Sequence, residues 1–287
     1  MLKKIFILEN CILVLIIAFL GIELYKNSPK EVKVDVDYYL SLPAFEQNNQ
    51  DAWYMKNNVV VHGAGSIDGL KCTNSKEALD NTLEHNIYTI EIDFEISSDN
   101  KLVCYHEPAD VSFPTKTSYT YDEFKNIKIK GKYTPLTGED IFEYMKKYPE
   151  LYIVIDTKNE DYLGVIQKIV NEADEDILNR FIIQCYYPDD KEKISNIYNF
   201  PDENYLFTAY MYTRNPYVCL QVCMDKNINV LVMPFIEEFY SEEIIEMFNS
   251  KNIHVYFHTI NRLDMVEYCL DNNVHGIYTD YLYAYDN

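Results

Sequence analysis

Three carboxylates and two histidines are spaced along this chain as metal-assisted proton transfer would need them. Glu91 and Asp93 lie two residues apart in an apolar, β-branched run, so on a strand they share one face. Asp156 closes another such run, and Lys158, two residues on, falls on the same face. Carboxylates with no cysteine–histidine set among them suit a hard cation, Ca²⁺ or Mg²⁺. His62 and His106 also fall at run ends, and imidazoles flanking such a site serve as general base and general acid. Gln184 and His258 end two further runs, and Asp280 ends the last. An isolated Glu-x-Asp is ordinarily just a polar strand face. Here, however, His62, Glu91, Asp93, His106, Asp156 and Lys158 converge, all falling at predicted strand ends or on one hairpin.

The elements that must position them alternate. Runs at 59–62, 88–94, 151–156, 181–185, 205–209, 230–233, 254–258 and 276–279 read as strands, and 75–85, 140–147, 162–172, 241–250 and 263–271 carry helical spacing. Asn74 with Glu77 three residues later reads as the capped start of the first helix. Such alternation predicts an α/β fold with parallel strands, and eight of them fit a (β/α)8 TIM barrel whose active site lies at the carboxyl ends. An open doubly wound sheet is the alternative. No G-x-G-x-x-G or G-x-x-x-x-G-K-[ST] loop follows any strand. Between Phe94 and His106 there is no room for a crossover helix, and Asp99-Asn100 signals a two-residue turn. Counting outward from that turn, Ser98 faces Lys101 and Asp93 faces His106. The expected hairpin, after the second strand, thus gathers Glu91, Asp93 and His106 at the barrel mouth.

Composition sets the outer bounds. The 287 residues carry 25 basic and 46 acidic side chains, a net charge of −21. A nucleic-acid partner is therefore not expected, and an anionic substrate must be met by a metal or by a few placed lysines. With 48% hydrophobic and 15% aromatic residues the chain can bury one large core and is not a disordered chain. Seven irregularly spaced cysteines make neither a disulfide framework nor a zinc ribbon, and Cys72, Cys104, Cys185, Cys219, Cys223 and Cys269 read as small buried hydrophobes. His85 and His275 read as structural or surface residues, and Tyr186-Tyr187 as packing.

The amino terminus reads as a membrane anchor. Residues 5–22 are apolar apart from Glu9 and Asn10, long enough to span close to the ~30 Å of a bilayer core, and no small-residue cleavage site follows. The expected organisation is an anchor over 1–26, a linker with one short helix over 27–57 and a barrel over 58–287. The protein is then single-pass in the cell membrane with its barrel outside the cytoplasm. Lys3 and Lys4 against Lys26, Lys30 and Lys33 leave the orientation nearly balanced.

Val61-His62-Gly63, Glu91-Ile92-Asp93 and the stretch from Asp99 to His106 resemble the glycerophosphodiester phosphodiesterase family. Its pattern is His-Arg-Gly at a strand end, Glu-x-Asp some thirty residues on, and a second histidine after an Asp-Gly hairpin. Ile155-Asp156-Thr157-Lys158 is similar to its Glu-Ile-Lys strand. Residues 255–261 and 276–280 resemble its closing Trp-Thr-Val-Asn and Thr-Asp strands. Three departures stand out: Gly63 and Ala64 follow His62 where the family has its phosphate-contacting arginine, Asp156 replaces a glutamate, and His258 takes a position that is often tryptophan. Cys72-Thr73-Asn74-Ser75 stands in place of Glu-Asn-Thr, like a divergent bacterial branch that also contains phosphatidylinositol-specific phospholipases C.

The resemblance implies hydrolysis of a small glycerophosphodiester or phospholipid headgroup. It assigns one divalent cation, Ca²⁺ or Mg²⁺, to Glu91, Asp93 and Asp156, and acid–base roles to His62 and His106. Lys158, Gln184 and His258 would bind substrate, Lys158 as a point charge on the phosphate. The nucleophile would be water or a hydroxyl of the substrate's own alcohol. A phospholipase C acting on a lipid headgroup and a non-catalytic headgroup-binding barrel are the alternatives.

Overall fold

All eight predicted runs become parallel strands: β1 (Val59–Val61), β2 (Thr89–Ile96), β3 (Tyr152–Asp156), β4 (Phe181–Cys185), β5 (Tyr205–Thr208), β6 (Val230–Pro234), β7 (His254–His258) and β8 (Gly276–Thr279). The computed structural model describes residues 34–46, 49–106, 119–157, 161–236 and 239–281. Each strand pairs with the next, and β1 pairs both with β8, Val59 against Ile277, and with β2, Val61 against Ile90. The sheet therefore closes into a barrel, which excludes the open doubly wound alternative. Strands such as Ile153-Val154-Ile155 and Phe181-Ile182-Ile183 are buried on both faces, as parallel strands under a helical layer must be.

Helices Lys76–Glu84, Gly138–Lys147, Tyr162–Glu172, Glu242–Asn249 and Leu263–Asp271 lie where helical spacing predicts them. A further helix, Pro216–Lys226, has no clean apolar stripe, because Val218, Cys219, Leu220, Val222 and Cys223 are all buried and spread around it. The first helix is capped by Ser75, whose side chain accepts from the Ala78 N–H, and not by Asn74.

The stretch expected to be linker over 27–57 belongs in its later part to the fold. Trp53 and Tyr54, in a short helix Trp53–Lys56, join Val60, Val154, Tyr256 and Tyr278 in one buried cluster within the barrel. Trp53 is fully buried and its Nε1–H donates to the Glu203 carbonyl at 2.9 Å. Polar neighbours masked the role of two aromatics, whose burial contributes roughly 1.5–3 kcal/mol per large side chain. From Val36 onward the chain is one compact unit. The apolar run 5–22, and with it the expected anchor, lies outside the described residues, as does Lys158. No helix among the described residues is long and apolar enough to cross a membrane.

The hairpin after β2 is present, with a register one residue away from the expected one. Leu102–Cys104 pairs antiparallel with β2, Phe94 against Cys104 and Ile96 against Leu102. The loop has three residues, not two: the Ser97 N–H donates to the Lys101 carbonyl at 2.8 Å, the Asn100 N–H donates to the Ser97 carbonyl at 2.9 Å, and Asn100 takes φ 61°. A turn closed by a left-handed residue is the usual three-residue hairpin, and Asn tolerates that φ. The extra loop residue puts Tyr105, not His106, beside Asp93, and the Tyr105 N–H donates to the Asp93 carbonyl at 3.0 Å. The expected direct opposition of Asp93 and His106 is thus overturned. A slip of one residue moves a side chain to the other face.

Candidate active site

Glu91 and Asp93 point into the barrel from alternate positions of β2, and Asp156 on β3 is the register partner of Asp93. All three are buried, and each offers an oxygen within 4.8 Å of the others'. The Gly63 N–H donates to Glu91 Oε2 at 2.6 Å. Asn74 clasps Asp93 twice, Nδ2 donating to Oδ2 at 2.8 Å and Oδ1 accepting from the backbone N–H at 3.1 Å. Tyr186 Oη donates to Asp156. Two buried oxygens, Glu91 Oε1 and Asp93 Oδ1, have no partner. Burial, then the charge of Asp93, holds the Glu91 carboxyl well above its usual range; burial, then Asp156, raises Asp93. Buried carboxylates that repel one another and keep lone pairs unspent fit a divalent cation. The donor set is all oxygen, as a hard ion requires.

Beside them stands His62, in the short turn His62–Ala64 that ends β1. Its Nδ1 lies 2.8 Å from Asp280 Oδ1, and its Nε2 lies 3.8 Å from Glu91 Oε2. Asp280 Oδ2 accepts from Lys71 Nζ at 3.0 Å and from Asn261 Nδ2 at 2.6 Å. Burial disfavours the imidazolium of His62, but the charge of Glu91 and the hydrogen bond to Asp280 outweigh it and raise its pKa well above the usual value. Burial also opposes ionisation of Asp280, yet His62, Lys71 and Asn261 bring it well below the usual carboxylate range. Cys72 touches both partners: its Sγ is 3.0 Å from His62 Nδ1 and 3.2 Å from Asp280 Oδ1. Burial pushes its thiol up to about 11.

Gly63 is required here. At φ 55° it is left-handed, and a Cβ on it would come within 2.5 Å of Cys72 Cα.

The remaining imidazoles converge on the same space. The ring of His106 is centred 6.5 Å from that of His62, and the ring of His258 5.0 Å from it. Beyond the ladder the chain bends, and this bend, rather than the register, brings His106 to the mouth. A cavity of about 320 Å³ is lined by His62, Glu91, His106, Asp156, Gln184 and His258 among others, and Tyr210 stacks on His258 at 5.8 Å. Gln184 reaches the wall, but its amide is engaged there: Oε1 accepts from Thr208 Oγ1 at 2.8 Å, and Nε2 reaches the Ile155 carbonyl at 3.3 Å. No lysine or arginine is among the described residues lining this cavity.

Several contributors escaped the sequence reading. Asn74 looked like a cap, Cys72 like packing, and Tyr186 like one tyrosine among 27. Each acts through a partner at least ten positions away, which no local pattern encodes. His275, read as structural or surface, is structural: its Nε2–H donates to the Tyr54 carbonyl at 2.7 Å at the other end of the barrel.

A family model described as the glycerophosphoryl diester phosphodiesterase family matches residues 62–284. No curated protein matches the chain in sequence. Solved structures share the fold at low identity. A glycerophosphodiester phosphodiesterase from Parabacteroides distasonis has 18% identity and a TM-score of 0.60, with 78% of this chain and 93% of that one covered. One from Thermotoga maritima has 19% identity and a TM-score of 0.59, with 78% and 94% covered. An Oleispira antarctica phosphodiesterase in complex with the product sn-glycerol-3-phosphate has 14% identity and a TM-score of 0.63, with 80% and 95% covered.

Proposed function

This chain belongs to the glycerophosphoryl diester phosphodiesterase family, whose members are phosphodiesterases, and on that premise we propose that its barrel hydrolyses a glycerophosphodiester at the His62–His106 cavity. One observation carries the reading: a cluster of three buried carboxylates with two unpartnered oxygens opens, through Glu91 and Asp156, on a cavity lined by three imidazoles. Glu91, Asp93 and Asp156 would hold one divalent cation, Ca²⁺ or Mg²⁺. That ion would offset charge on a phosphate oxygen as the transition state spreads it.

The chain's own residues supply the rest. His62 and His106 both line the cavity, with ring centres 6.5 Å apart. One imidazole removes the proton of the attacking hydroxyl, and the other protonates the departing alkoxide. Asp280 fixes the His62 ring by its Nδ1, leaving Nε2 toward the cavity. Asn74 and Tyr186 orient Asp93 and Asp156. His258 and Tyr210, stacked on each other, both wall the cavity and would meet the substrate there. Lys158, two residues past Asp156, would meet the phosphate in place of the missing arginine.

The test is a panel of glycerophosphocholine, glycerophosphoinositol and phosphatidylinositol offered to the detergent-solubilised full-length protein, with and without chelator. Chelator-sensitive release of glycerol phosphate or a cyclic phosphate supports the reading. No turnover with any cation added, or turnover indifferent to chelator, overturns it. Residues 5–22 are proposed to anchor the chain in the cell membrane with the barrel on the outer side. A carbonate wash that releases full-length protein, or a mature chain starting after residue 20, would refute the anchor.

A further inference from the structure

Barrel closure assembles a second set of ligand atoms behind His62. Nδ1 of His62, Sγ of Cys72 and Oδ1 of Asp280 form a triangle with edges of 3.0, 3.2 and 2.8 Å. They come from the end of β1, the loop after it and the end of β8, and with the carboxylates they are one of two such groups among the described residues. We propose that this triangle binds a borderline-soft divalent cation, zinc foremost, and that occupation switches the hydrolytic reaction off. The switching half rests on the role given to His62 above.

The donor chemistry separates the two sites. Imidazole plus thiolate selects zinc, whereas an all-carboxylate set suits calcium or magnesium. Bonds of about 2.0–2.3 Å put the ligand atoms of tetrahedral zinc roughly 3.3–3.6 Å apart, so the triangle opens by a few tenths of an ångström. A water takes the fourth position. The outer partners are in place: Lys71 and Asn261 hold Oδ2 of Asp280, which presents Oδ1 to the triangle. Cys72 is held at φ 50° against the backbone of Gly63.

On binding, the Cys72 thiol proton goes to solvent, and so does the proton that Nδ1 of His62 holds against Asp280. Nδ1 gives the freed lone pair to the metal, so that the neutral ring carries its one proton on Nε2. That nitrogen has no lone pair to accept a proton, and giving its own up would leave a metal-bound imidazolate, so it serves neither as base nor as an effective acid. The ring also loses its link to Asp280. One of the two proton transfers is lost, and turnover should fall by ~10²–10⁴-fold. A hard ion at the carboxylates leaves the ring free.

The experiment titrates zinc into full-length protein already saturated with magnesium or calcium, scaling each rate to the same protein's zinc-free rate. Cobalt(II) serves as a spectroscopic probe of the same site. Wild type should lose at least ~10²-fold in rate, recover on chelation and readdition of the hard ion, and show a thiolate-to-cobalt charge-transfer band in the near ultraviolet. Cys72→Ser should lack the band and need at least ~10-fold more zinc. A wild type without the band overturns the site. Equal zinc sensitivity in Cys72→Ser overturns it too, since zinc would then be acting at the carboxylates. A band in a protein that hydrolyses no phosphodiester keeps the site and sinks the hydrolytic reading.

Discussion

Asp280 Oδ1 lies 2.8 Å from His62 Nδ1, joining the end of β8 to the end of β1 across 218 positions of sequence. The pair fixes which nitrogen of His62 faces Glu91 and the cavity. Asp280→Asn keeps the shape but removes the charge and the tautomer preference, so kcat should fall by ~10²-fold or more. The pH–rate profile should move with it. Asp280 favours the imidazolium, so its loss shifts the limb belonging to His62 toward lower pH. Steady-state kinetics against pH check both, and an unmoved limb would make Asp280 a packing residue only.

Glu91→Gln should separate stability from activity. In the metal-free protein it removes a buried charge that Asp93 and Asp156 repel, so denaturant unfolding in chelator should show a variant at least as stable as wild type. Adding Mg²⁺ or Ca²⁺ should then stabilise wild type, by about 2.7 kcal/mol at a hundredfold excess over Kd, and the variant much less. Activity should be lost. A variant stabilised as much as wild type would place the cation elsewhere.

His106 reaches the cavity through a bend beyond the hairpin ladder, with its ring centre 6.5 Å from that of His62. His106→Asn should cost ~10²–10⁴ in kcat with the melting temperature nearly unchanged. Combining it with His62→Asn should cost far less than the product of the single losses if the two rings act as a unit. Full turnover in His106→Asn would remove it from the reaction.

At the other end of the barrel a neutral histidine pair predicts acid sensitivity. His275 donates through Nε2–H to the Tyr54 carbonyl, so a neutral His275 accepts at Nδ1, and His254 Nδ1–H donates to it across 3.0 Å. Burial, then the facing His275, brings His254 down to about 4 from 6.5, and burial lowers His275 as well. The folded pKa is depressed, so the unfolded chain takes up the proton first as pH falls. The contribution is intact above 6.5, is lost between 6.5 and 4, and changes no further below 4. For His254 it amounts to about 2–3 kcal/mol across that window. The difference in unfolding free energy between wild type and His254→Gln, followed by urea titration from pH 7.5 to 4, should shrink by that amount. A constant difference would refute the neutral pair.

Much of this molecule was legible locally. The β-branched runs located all eight strands, because a strand buried on both faces must be apolar along its whole length, and 181–185, 254–258 and 276–279 match the observed bounds residue for residue. Period two alone placed Glu91 and Asp93 on one inward face, and the strand ends placed Asp156 and His62 at the mouth. The helix Pro216–Lys226 was not legible, since its buried residues lie all round it and leave no stripe to detect.

Tertiary structure decided the rest wherever a contact joins distant positions or turns on one backbone angle. The hairpin register hung on Asn100 entering the left-handed region, a choice local composition leaves open between a two- and a three-residue loop. Trp53 looked like linker because its partners, Tyr256 and Tyr278, lie some 200 residues on. Asn74 looked like a cap until folding put Asp93 within its reach. Cys72 and Asp280 are 208 positions apart and meet because β8 closes on β1. Periodicity reports which way a side chain points, since nearest-neighbour sterics set it. Only closure of the sheet determines what it points at.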